Sequence, residues 1–110
     1  MNNPAPSKGA TAATRRMARH YAMQALYQWQ IADHSVAEIT AQFESLADFA
    51  RCDREYFAEV LQFVVDDVAA LDGLIAKYAA RGVETLDAVG RAILLLAFAE
   101  LKYREDVPTK

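Results

Sequence analysis

Residues 86–101, LDAVGRAILLLAFAEL, restrict the fold more than any other stretch of the chain. Leu86, Val89, Ile93, Leu96 and Leu101 recur at helical spacing, and Gly90, Leu94, Ala97 and Phe98 make a second stripe beside the first. The eight residues between Arg91 and Glu100 carry no polar side chain. A helix apolar all round sits in the middle of a core or in a membrane, and eight residues fall far short of the ~20 needed to span a bilayer. The expectation is a central core helix with neighbours on most sides. The chain ends nine residues after Leu101, so its cover has to come from residues 14–85 or from outside the chain.

Composition agrees with an all-helical fold. A chain of 110 residues is one domain, large enough to bury a real core. Its 54% hydrophobic residues and 25% charge are those of a soluble globular protein, and three prolines and four glycines leave room for long helices. The single Cys52 excludes an internal disulfide and reads as a small buried filler. Residues 1–14 contain no apolar signal-peptide core, so the expected location is cytoplasmic.

Charge is distributed unevenly. Residues 1–32 hold Lys8, Arg15, Arg16 and Arg19 and no acid, while all fifteen acidic residues lie at Asp33 or beyond. A basic start on an acidic body suggests one anion-facing surface, whereas a pI of about 5.3 argues against non-specific coating of nucleic acid.

Along the chain, residues 1–13 read as a disordered basic arm. Thr14 is placed to cap a helix reaching about Ala32, with Ala18, Ala22, Ala25, Trp29 and Ala32 as its apolar stripe and Leu26 beside them. Ser35-Val36-Ala37-Glu38 has the form of a capping box opening a second helix, whose stripe is Val36, Ile39, Phe43, Leu46 and Ala47. Asp53 caps the next segment, residues 53–80, which is one helix or two, with Asp66-Asp67 as the place for a break. Gly82 fits a helix stop. The count is four to five helices.

Arg15, Arg16 and Arg19 crowd the first two turns of the first helix, the end where its dipole already places positive charge. They are either merely solvated or a phosphate-binding cluster, guanidinium forks being suited to phosphate oxygens. Tyr21 and Tyr27 share that helix. Arginine with exposed tyrosine is what single-stranded RNA needs, one for phosphates and one for base stacking; the alternative is that both tyrosines belong to the core edge. His20 and His34 lack partners at metal-ligand spacing, and Gly73, Gly82 and Gly90 form no phosphate loop. Asp66, Asp67 and Asp72 fit helix starts and solvated faces better than acid–base chemistry. No nucleophile–base set can be assembled, so neither catalysis nor a cofactor is expected.

Arg15-Arg16-Met17-Ala18-Arg19 followed by Ala22-Met23-Gln24-Ala25-Leu26-Tyr27-Gln28-Trp29 resembles the opening helix of the NusB family of bacterial transcription antitermination factors. The likeness continues through Tyr56-Phe57, Leu71-Asp72-Gly73-Leu74-Ile75 with Tyr78, Arg91-Ala92-Ile93-Leu94, Glu100-Leu101 and Asp106-Val107-Pro108, covering about residues 14–110 in family order. The resemblance implies an all-α, NusB-like helical bundle that binds RNA without catalysis. Its implied partners are boxA RNA, the small-subunit ribosomal protein NusE and the RNA polymerase antitermination complex, in support of ribosomal RNA transcription. Arg15, Arg16 and Arg19 match positions that touch RNA in the family, and Tyr27, Tyr78 and Glu84 match positions near the RNA or NusE face.

The sequence departs from the family at Leu95, where an arginine is usual, and at Ala99, where an aromatic is usual. Family members also continue past the Val-Pro block into their final helices. The resemblance therefore implies a C-terminally truncated chain whose central helix lacks part of its cover. Two other functions fit such a helical chain. One is the NusB-like appendage of a ribosomal RNA methyltransferase. The other is an interaction module whose arginines face only water.

Overall fold

Every capped helix starts where a short polar side chain can hold the first free N–H groups of the turn. The computed structural model describes residues 11–79 and 87–106, which form α1 (Ala12–Ile31), α2 (Val36–Glu44), a 3-10 turn (Phe49–Arg51), α3 (Arg54–Asp66), α4 (Val68–Ala79) and α5 (Ala88–Asp106). In α1 the cap is Thr11 rather than Thr14. Thr14 sits three residues later and completes the box, donating its N–H to Thr11 Oγ1 at 3.1 Å and accepting the Thr11 N–H at 2.8 Å. Residues 11–13, expected in the disordered arm, thus form the cap and first turn; the rest of that arm lies outside the described residues. The expected Ser35–Glu38 box is present, at 3.1 and 2.8 Å, and Asp53 Oδ1 accepts the Tyr56 N–H at 3.1 Å. Asp87 holds the Gly90 N–H at 2.7 Å and so sets the start of α5. Leu86 and Gly82 lie outside the described residues.

Residues 53–80 divide into two helices. The break is at Asp67, with φ −112° and ψ 20°, and Lys102 of α5 donates to its carboxylate at 2.7 Å. The second helix ends at Glu44, earlier than its apolar pattern suggests. Leu46 is 45% exposed, and the buried position passes to Phe49 in the 3-10 turn. Phe49 meets Phe57 edge-on at 4.9 Å between ring centroids, and Phe43 lies 5.4 Å from Phe57. Tyr21 closes this group at 5.4 Å from Phe49 and 5.9 Å from Phe43, so it belongs to the core edge. Cys52 is a free, buried thiol, and that burial pushes its pKa up.

α1 packs most extensively on α5 and α3. Its buried face, Ala18, Ala22, Ala25 and Leu26, is mostly small, and α5 answers with Ala92, Leu95, Leu96 and Ala99. Small side chains on both helices let the two backbones approach closely. The stripe expected to be buried on α5 is largely not: of its members on the described residues only Leu96 is buried, while Val89, Ile93 and Leu101 are exposed. A helix apolar on every side has no periodic contrast to mark its inner face; here that face is Ala92, Leu95, Leu96 and Ala99, while Ala97 is exposed. Leu95 and Ala99, the two departures from the family pattern, are both fully buried. No helix among the described residues is long and apolar enough to cross a membrane.

Phe57→Ala should destabilise the fold by about 3–5 kcal/mol, because the ring is fully buried in the aromatic group. Leu46→Ala should stay within about 0.5 kcal/mol. Midpoints of urea unfolding compare the two directly.

Candidate nucleic-acid interface

Helical geometry separates the three arginines. Arg15 and Arg19 are one turn apart, on the side of α1 that faces α3 and α5, and both are half-buried; Arg16 is rotated about 100° from Arg15 and is exposed. The Arg15 guanidinium lies 4.2 Å from the centroid of the Tyr56 ring, and its Nη2 is 3.6 Å from Asp53 Oδ2. Its Nε is buried without a hydrogen-bond partner. The same Asp53 caps α3 through its side chain and donates its own N–H to the Thr14 carbonyl at 3.1 Å, which ties the start of α1 to the start of α3.

Arg19 Nε donates to Glu100 Oε2 at 2.7 Å, and the Tyr56 hydroxyl donates to the same oxygen. One carboxylate on α5 therefore joins α1 and α3. The hydrogen bond to Glu100 raises the Arg19 pKa despite partial burial. Burial first, and then the bond to Glu100, pushes the Tyr56 phenol up to about 12. Arg16 has neither kind of partner: among the described residues no carboxylate pairs with it.

Tyr27 lies eleven residues beyond Arg16, about 16 Å along the helix, and is 40% exposed. It lines an uncharged groove of about 490 Å³ with Met23, Gln24, Gln28 and Ile31 of α1, Phe43 of α2, and Val89 and Ala92 of α5. Tyr78 is also exposed, but it stands on α4 and meets Phe98 edge-on at 6.5 Å; among the described residues nothing joins it to the arginines. Glu84 lies outside the described residues. Of the three acids expected at helix starts and on solvated faces, Asp66 accepts from Gln62 of its own helix at 2.8 Å, while Asp67 and Asp72 are paired across helices. Asp72 accepts two bonds from Arg91, at 3.0 and 2.7 Å, and Asp67 takes Lys102.

The residues missed in the sequence are the arginines' partners, Asp53, Tyr56 and Glu100. Glu100 did carry a signal. It is the first polar residue after the apolar run of residues 92–99, and an acid placed there has to find a cation or water.

The sequence model of the NusB family matches residues 16–110. The transcription antitermination protein NusB of Alcanivorax borkumensis is 48% identical over 108 residues, spanning 98% of this chain and 69% of that protein. The proteins of the same name from Photorhabdus laumondii and Yersinia pestis are 46% and 44% identical over 98 residues, covering 89% of this chain and 71% of each relative.

Because the folded-state pKa of Tyr56 is raised from the ordinary ~10 to about 12, its hydroxyl contributes stability that is complete below pH ~10 and lost as pH rises through ~12. Tyr56→Phe should lower the unfolding free energy at pH 7 by about 1.5–3 kcal/mol, the range for a hydrogen bond to a charged group. It should also shrink the decline between pH 10 and 12. Denaturant titrations across that window measure both effects.

Proposed function

The chain belongs to the NusB family, and on that premise we propose that it acts in transcription antitermination by binding a boxA-type RNA together with the ribosomal protein NusE. The match to antitermination proteins, over 89% to 98% of this chain, supports this over a methyltransferase appendage. That role is not a catalytic one. The observation that carries the RNA reading is the basic, acid-free first helix: every cation of residues 11–32 falls in its first two turns, and none is preceded by an acid.

A single-stranded RNA segment fits such a surface physically. Phosphates are attracted to uncompensated arginine, and an exposed tyrosine further along the helix offers a flat face for an unstacked base. Arg16 and Tyr27 lie on this face of α1, with the half-buried Arg15 and Arg19 beside it; Tyr78 and Glu84 are assigned to the NusE side or the RNA periphery. NusE would add contact area and so raise affinity for the RNA element. The work is assigned to the cytoplasm, where nascent RNA and ribosomal proteins are found.

Fluorescence anisotropy of a labelled boxA-like RNA tests this. Binding should weaken steeply with salt, tighten when NusE is added, and exceed binding to a scrambled RNA of equal length. Equal affinity for the two RNAs, unaffected by NusE, would overturn the reading.

A further inference from the structure

We infer that the three arginines divide their labour: Arg16 meets the phosphate, while Arg15 and Arg19 are positioning residues that fasten the RNA-facing helix to α3 and α5. The inference rests on the RNA-binding reading above and assigns roles within it.

Arg15 is paired with Asp53 and Arg19 with Glu100, at 3.6 and 2.7 Å. Each pair is formally neutral, so a phosphate approaching either guanidinium also approaches a carboxylate. Arg16 is exposed and, among the described residues, has no such neighbour. The net positive charge of the first two turns is therefore carried by Arg16, whatever the total count of arginines.

Arg15 lies against the Tyr56 ring, and its Nε is already buried. Turning this side chain to a phosphate would give up the ring contact and leave Asp53, which is buried, without its cation. Arg19 cannot leave Glu100 without stranding a carboxylate that is only 17% exposed and that also takes the Tyr56 hydroxyl. Losing one partner of such a pair costs more than the pair itself contributes. Both arginines stay where they are, and their job is to hold the α1 backbone so that Arg16, and further on Tyr27, face outward.

The test separates the roles through salt dependence and melting. Affinity for the boxA-like RNA would be measured by anisotropy over a series of salt concentrations, well below the melting temperature, for the unaltered chain, Arg16→Ala, Arg19→Gln and the pair Arg19→Gln with Glu100→Gln. Arg16→Ala should weaken binding about tenfold. It should also flatten the plot of log affinity against log salt by about 0.7, the loss of one phosphate contact on a single strand, with Tm unchanged. Arg19→Gln should lower Tm by several degrees and weaken binding with the salt slope intact. The paired substitution removes the same cation without stranding the acid, so it should recover much of the Tm and the affinity, again at the original slope. A flatter slope in the paired variant would show that Arg19 touches phosphate and overturn the division, as would an unchanged slope in Arg16→Ala. If the unaltered chain binds no RNA, the functional reading fails instead. The positioning role is then judged by melting alone, and an equal loss of Tm from Arg16→Ala and Arg19→Gln would overturn it.

Discussion

Glu100 Oε2 receives a guanidinium from α1 and a phenol from α3 while belonging to α5. Three helices meet at one oxygen, and the rest of the arrangement follows from satisfying it. A carboxylate this deep is tolerable only with strong donors in fixed places. Those donors set the position of α1 along its axis, and apolar packing alone would leave that position less well defined. Alanine on alanine holds helices close but gives them little to register against; a charged hydrogen bond does. Tyr103 of α5 adds a further link, donating to Glu59 of α3 at 2.8 Å.

A second fastening lies towards the far end of α1. Arg91 grips Asp72 of α4 with two bonds and reaches Gln30 of α1 at 3.2 Å, while Gln30 donates to the Ala88 carbonyl at 2.8 Å. α1 is thus held near both ends by polar contacts with α5, with small residues between. The helix that presents the arginines is therefore fixed near both ends, which suits a surface that must offer a fixed spacing to a flexible strand.

Much of the helix pattern was legible in the chain because it depends on neighbours in sequence. The alanine stripe of α1, the Ser35 box, the Asp53 cap and the site of the break at Asp66-Asp67 all rest on residues within one or two turns. What was not legible depends on distance. Arg15 and Arg19 looked free because their carboxylates come 38 and 81 positions later. The inner face of α5 was hidden because every face of it is apolar. Thr14 looked like a cap because either threonine, three apart, suits that place, and only the backbone's path decides between them. The candidate site was legible as a cluster of charge, but not as a division between paired and unpaired guanidinium groups.

The long reach of the Arg19–Glu100 bond also sets an order on assembly. It spans 81 residues, so the entropy of closing that loop is met only after almost the whole described chain has been made. Of the described helices α1 is made first, and the side of it that meets α5 stays unpaired until α5 leaves the ribosome. α2 and α3 lie nearer in sequence and reach it earlier, and α5 then locks the bundle in a late, non-local step. Of the described helices, the first to be made is the last to be finished.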